Sequence, residues 1–230
     1  MMYQNKNSEY LALTKTWHSE DSPWKAKQIF NILKKNNIKF NSVAEVGCGF
    51  GEILNTLNNM LDNNNVIYTG FDIAEDAILE AKKKHTNNIS FHLEDFTKVS
   101  SFYDVLLMID VFEHVPDYLG FLEKCKSKAK YKIFHIPLDM HVSSLLRNKM
   151  APGRYSIGHL HYFCKETALS TLEGTGHKII DFCYTNGANE LPNRLLKTKM
   201  ANIPRNILYP FFPNLTVKVF GGYSLLVITE

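Results

Sequence analysis

The chain has no apolar run approaching the roughly 20 residues needed to cross a bilayer, so stable membrane insertion is not expected. Its four cysteines, Cys48, Cys125, Cys164 and Cys183, form no C-x-x-C pair. That spacing argues against a zinc ribbon or a disulfide framework, and buried free thiols are expected instead. The nine histidines include no i, i+4 pair of the kind that shares a metal on one helix face. A net charge of +3 is too weak to point to nucleic acid. No internal repeat or low-complexity tract interrupts the chain. The first 24 residues are polar and lack the apolar centre of a signal peptide, so a cytoplasmic protein is expected.

What is present is a good core former. Hydrophobic residues make up 45% of 230 residues, enough for one domain of generous size. Strand-like and helix-like segments alternate. Pro23 follows Asp21 and Ser22, two candidate N-caps, and opens a helix that stops near Asn36-Asn37. SVAEV (42–46) is short and apolar, and GEILNTLNNML follows as a helix. Strands are expected at 66–73, 89–95, 103–110, 131–137 and 177–184, with helices at 75–85, 118–128 and 165–176. The terminal TVKVFGGYSLLVIT reads as a last strand. Helix-covered parallel sheet is the natural architecture. Two irregular stretches, about 138–165 and 186–215, read as inserts capping one sheet rather than as a second domain.

AEVGCGFGEIL carries three glycines on alternate positions, Gly47, Gly49 and Gly51, between a strand and a helix. Such a turn lets backbone approach a ligand at a helix N-terminus. A P-loop is excluded because no Gly-Lys-Ser/Thr follows. A nicotinamide turn would read G-x-G-x-x-G, but position 52 is Glu. Glu45 would repel a pyrophosphate and favour a cation. Asp72 ends the second strand and suits the two hydroxyls of a ribose, which several adenosine ligands share. Asp95, beside Glu94 and Phe96, suits an adenine amino group. Asp110 arrives at the end of the fourth strand, over the same cleft.

Together these segments resemble the class I S-adenosylmethionine-dependent methyltransferases. The E-x-G-C-G-x-G turn is Glu45 to Gly51, the acidic second-strand end is Gly70-Phe71-Asp72-Ile73, and the adenine-side acid is in Glu94-Asp95-Phe96. The segment Asp110 to Asp117 is very like the E-H-V-x-D of many small-molecule methyltransferases. The resemblance runs over about residues 42–185. It implies a Rossmann-like α/β fold, a seven-stranded mostly parallel sheet with an antiparallel last strand and helices on both faces. It implies S-adenosylmethionine as cofactor, S-adenosylhomocysteine as product and no metal. It also implies that Asp72 holds the ribose, Asp95 the adenine, and the Gly47–Gly51 backbone the methionine part. An N-terminal helix at about 16–37 would fold over the cofactor, with Trp17 and His18 closing the pocket.

GRYSIGHLHYFCKETAL (153–169) resembles the H-x-x-[FY]-F stretch that lies on the substrate side in many of these enzymes. It offers His159 and His161 as bases, with His114 as a further candidate, and Tyr162 as a substrate contact. Residues 139–230 hold 10 Lys+Arg against 6 Asp+Glu, while residues 1–138 hold 16 against 17. Arg147, Lys149 and Arg154 cluster there with Tyr155, so the expected acceptor is a small anionic molecule. The pattern looks like methyltransferases encoded with bacterial surface-polysaccharide genes. Three alternatives stand beside this: a quinone- or lipid-type O-methyltransferase, a nicotinamide oxidoreductase, and a non-catalytic cofactor-binding protein. The apolar segment at 203–213 could touch a membrane surface or form a homodimer.

Overall fold

The computed structural model describes residues 19–61, 65–84, 86–191 and 196–230. Seven strands form one sheet: β1 (Ser42–Val46), β2 (Ile67–Asp72), β3 (Ile89–Leu93), β4 (Tyr103–Ile109), β5 (Ala129–Pro137), β6 (Ile179–Thr185) and β7 (Ser224–Thr229). Their order is β3-β2-β1-β4-β5-β7-β6, with only β7 antiparallel to its neighbours. β1 and β4 are the most enclosed strands. Val43, Ala44, Leu106, Leu107 and Met108 are at most 2% exposed, as apolar strands covered on both faces should be.

Helices cover both faces. On one side lie α1 (Ser22–Lys35), α2 (Glu52–Leu61) and α3 (Glu75–Lys82), which bury Ile29, Leu54, Leu57 and Ile78 against the sheet. On the other lie α4 (Tyr118–Lys126) and α7 (Lys165–Gly174), which bury Leu122, Ala168 and Leu172 around Phe112 and Phe134. Each fully buried Leu contributes roughly 1.5–3 kcal/mol relative to exposure. The sheet order reverses between β1 and β4, so the loops after their carboxyl ends diverge and leave a crevice.

The inserts carry short helices. Residues 138–165 hold α5 (Val142–Leu146) and α6 (Met150–Ser156); 186–220 hold α8 (Gly187–Glu190), α9 (Leu196–Leu208) and α10 (Pro213–Phe220). Here the structure corrects the terminal reading. TVKVF is helix, not strand, because Pro213 stands in the first turn of α10 and starts it. Gly221 and Gly222, at φ +62° and +83°, then turn the chain into β7. The alternation of Thr216, Val217 and Lys218 reads as strand, but these residues lie on a helix that buries Thr216 and Val217 and leaves Lys218 exposed. A second correction concerns the thiols. Cys48 and Cys125 are buried, but Cys164 is half-buried and Cys183 is exposed on β6.

The helix expected at 16–37 is observed as Ser22–Lys35, packed flat on the sheet through Ala26, Ile29, Ile32 and Leu33. Asp21 occupies its N-cap without a side-chain capping bond. Trp17 and His18 lie outside the described residues.

Candidate active site

A cavity of ≈1610 Å³ opens beyond the carboxyl ends of β1 to β5, where the crevice was expected. Its floor is the turn after β1. The Gly47 and Cys48 N–H groups donate to Phe71 O at 2.8 and 3.1 Å, which locks the turn onto β2. Gly47 is left-handed at φ +68°, and a Cβ there would sit 2.9 Å from Val111 Cγ2. Gly51 is also left-handed, and a Cβ there would collide with the Phe91 ring. Gly47 and Gly49 line the cavity; Gly51 does not, and serves helix–sheet packing instead.

Asp72 is buried, with its oxygens accepting from Gly49 N–H and Ala74 N–H at 2.9 Å each. Burial raises its pKa against the pull of those backbone bonds. It thus ties the glycine turn to the β2 end, and each oxygen keeps further acceptor capacity. Exposed Ile73 lines the cavity next to it. Asp95 caps the 3₁₀ turn Phe96–Lys98, accepting from Thr97 N–H at 3.0 Å and Thr97 Oγ1 at 2.7 Å. Burial would raise its pKa, but those bonds and Lys98 outweigh it and hold Asp95 below the ordinary range. Phe96 is mainly a core residue against Phe71, with an edge on the cavity.

Glu45 is 2% exposed, and its Oε2 has no hydrogen-bond partner among the described residues. Burial pushes its pKa well above the carboxylate range, against Lys25. Asp110 stands at φ +55° and meets Lys25 Nζ at 2.7 Å and His135 Nδ1 at 2.6 Å. His135 Nε2 continues to Thr185 Oγ1 at 2.9 Å. Burial alone would raise the Asp110 carboxyl; His135 and Lys25 reverse this and hold it well below its usual value. Lys25 is raised in turn, because Asp110 outweighs the burial that would lower it. This chain of groups joins α1 to β4, β5 and β6 under the cavity. Trp24, also on the cavity wall, donates from Nε1 to Glu190 Oε2 at 2.7 Å and so ties α1 to α8.

The opposite wall holds the histidines. His159 Nδ1 and Asp139 Oδ2 are 2.5 Å apart. The His114 ring lies 4.9 Å away, edge-on, and donates from Nδ1 to Gly158 O at 2.9 Å. Burial and then neighbouring His159 lower the His114 pKa to about 4, so its imidazole is neutral at physiological pH. Glu113 is fully buried, and neither carboxyl oxygen finds a partner among the described residues. Burial and then Asp110 raise its pKa strongly. Glu113, His114 and His159 bring ligand-type atoms within 4.8 Å of one another. Their positions in sequence, with no helical pair, give no sign of this.

Not every expected residue reaches the cavity. His161 donates from Nε2 to Val115 O at 2.9 Å and packs on Tyr118, which fixes the insert. Tyr162 donates from its hydroxyl to Met150 O at 2.7 Å. Arg147 is the exposed C-cap of α5. None of the three lines the cavity, whereas His114, His159, Arg154 and Tyr155 do. These positions correct the expectation that His161 acts as a base and that Arg147 and Tyr162 meet substrate. Sequence reasoning missed Lys25 and Asp139. Asp139 had a signal, a carboxylate two residues past the proline that closes β5; Lys25 had none.

The cavity suits a sulfonium nucleoside. Partnerless Glu45 Oε2 lacks a cationic donor, Lys25 offers an ammonium to a carboxylate, and the side-chain-free turn admits close backbone approach.

A family model described as a methyltransferase domain matches residues 15–182. The ubiquinone biosynthesis O-methyltransferase of Glaesserella parasuis serovar 5 (strain SH0165) is 27% identical over 145 residues, covering 55% of this chain and 60% of that protein. The namesake from Coxiella burnetii (strain Dugway 5J108-111) is 27% identical over 144 residues, covering 55% and 59%. The chain thus spans about 60% of the length of these curated relatives. Among solved structures, magnesium protoporphyrin IX methyltransferase from Synechocystis PCC 6803 with bound SAH has a TM-score of 0.60 at 15% identity, covering 99% and 90% of the two chains. A SAM-dependent methyltransferase from Archaeoglobus fulgidus has a TM-score of 0.59 at 21% identity, covering 94% and 99%. These structural likenesses establish the fold, and the family match covers most of the chain. The chain belongs to the methyltransferase domain family.

Proposed function

We propose that the protein methylates a hydroxyl of a small anionic acceptor, a sugar- or phosphate-bearing intermediate of surface-polysaccharide assembly. The observation that carries the reading is the His159–Asp139 pair in the cavity wall, beside Arg154 and Tyr155. Bound in the cavity, S-adenosylmethionine supplies an electrophilic methyl group. The chain's own residues hold it: the Gly47–Gly49 backbone, Glu45 and Lys25 at the amino-acid end, Asp72 at the ribose, and Asp95 with Ile73 and Phe96 at the adenine. Asp110 acts by fixing Lys25. On the acceptor side, Asp139 orients His159 and balances the charge it gains. His159 Nε2 is then the nitrogen that takes the acceptor's proton as its oxygen attacks. Such a base contributes roughly 10²–10⁴ in rate. Arg154 supports an anionic acceptor because its fork matches phosphate and carboxylate.

A second reading, O-methylation of a quinol or related phenol, draws on the likeness to the ubiquinone biosynthesis enzymes. One experiment separates the readings. Calorimetry with S-adenosylhomocysteine comes first. Labelled methyl incorporation is then measured on nucleotide-linked and phosphorylated sugars and on catechols, with parent protein and His159→Asn. Turnover on an anionic sugar, reduced 10²–10⁴-fold in the variant at unchanged S-adenosylhomocysteine affinity, is expected. Turnover on catechols alone would favour the second reading. Binding without turnover on either panel would make this a non-catalytic binding protein, and no binding heat would end the methyltransferase reading.

A further inference from the structure

Two long segments that include most of the cap lack acidic residues. From Met140 to Lys165 and from Leu191 to Thr229 there is no Asp or Glu, although the chain holds 23. The same segments contain nine of its 26 Lys and Arg. They also meet in space, since α5 packs on α10 and α10 on α9.

Their outer side is apolar. Leu146 is 80% exposed, Phe211 74% and Tyr155 76%. Ile203 and Ile207, one turn apart on α9, are both more than half exposed, as are Phe212 and Leu215. The inward side is packed against the rest of the cap. Arg205 bonds Asn202 Oδ1 and Phe220 O, while Thr216 and Val217 are buried. Exposed aromatic and aliphatic side chains gathered in this way mark an interaction surface rather than ordinary solvated surface. Tyr155 belongs both to this face and to the cavity wall, so the face borders the cavity mouth.

We propose that this acid-free, apolar face docks the protein on an anionic phospholipid surface and brings the cavity mouth to that surface. Aromatic and aliphatic side chains suit the acyl boundary, and the flanking cations suit lipid phosphates. The want of carboxylates removes the repulsion that an anionic surface would otherwise impose. Lys218 is the one described cation of these segments held by an acidic side chain, Glu166, at 2.7 Å. The charge also argues against a second copy of the chain, because a twofold contact would set like charges against each other.

Co-sedimentation with vesicles tests this. Vesicles of phosphatidylcholine with a third phosphatidylglycerol are compared with phosphatidylcholine alone, at low and high salt. At least tenfold stronger partition onto the anionic vesicles, weakened by salt, is expected. A Phe211→Ser, Phe212→Ser double variant and Leu146→Glu should each lower that partition several-fold or more, with circular dichroism and S-adenosylhomocysteine affinity unchanged. Equal, weak pelleting on both vesicles would overturn the proposal. So would variants that pellet like the parent. A dimer in size-exclusion chromatography that these same substitutions dissolve, without vesicle binding, would assign the face to self-association and overturn it too.

Discussion

Glu113 should make the fold less stable at neutral pH than at mildly acidic pH, and Glu113→Gln should remove that weakness. The carboxyl is fully buried, its oxygens lack partners among the described residues, and ionised Asp110 adds to the effect of burial. Folding therefore keeps a proton on Glu113 that the unfolded chain releases near pH 4.3. The folded pKa is raised, so the stabilisation is fully present below about pH 4.3 and is lost as pH rises through the folded value. Over that window the loss is about 1.4 kcal/mol per pH unit. Gln has nearly the same shape and does not titrate. Urea unfolding of both proteins at pH 5, 6 and 7 should show the variant gaining on the parent, by up to about 3 kcal/mol between the end points. For a chain of this size, 1 kcal/mol moves Tm by about 2–4 °C. A stability difference that stays flat across this range would refute the reasoning. So would a variant that loses ground as pH rises.

Gly51→Ala should destabilise by about 2–5 kcal/mol, from left-handed backbone strain plus overpacking on the Phe91 ring, read as a lower midpoint in urea. An unchanged midpoint would mean that the turn relaxes freely. Dialysis against a chelator should leave methyl transfer unaltered, as expected of a metal-free reaction. Loss of turnover that returning a divalent cation restores would recast Glu113, His114 and His159 as its ligands.

The sheet was legible because its strands are nearly pure signals. VLLMI in β4 is apolar throughout, SVAEV in β1 is apolar but for Ser42 and Glu45, and Gly47 follows β1 as Pro137 closes β5. α10 was not legible. In an eight-residue helix with one buried edge, Thr216 and Val217, periods of 2 and 3.6 differ by too few positions to separate. Pro213 was the better guide, because a proline that opens a helix says more about local backbone than a short alternation of Thr, Val and Lys.

The site divides along a similar line. Glu45, Asp72, Asp95 and Asp110 were found because each sits at or near the end of a strand, and parallel strands deliver their ends to one crevice. Residues in the inserts have no such rule. His159 and His161 are two positions apart, yet one meets Asp139 in the cavity wall and the other bonds Val115 O away from it. The reason lies in backbone bonding. Leu160 and His161 both donate their N–H to Glu113 O, which pins this stretch to the loop after β4; two successive N–H groups on one carbonyl break the extended alternation that would have put residues 159 and 161 on the same side. The polar pattern is thus set by a single buried carbonyl more than 40 residues away, and residue type alone carries no trace of that contact. Lys25 is hidden for a related reason. As a lysine in a first helical turn it reads as solvated, and only Asp110, held left-handed at the end of β4, makes it a buried ion pair under the cavity. A carboxylate forced to turn inward needs a cation, and the nearest element able to supply one is the helix laid across the same strands.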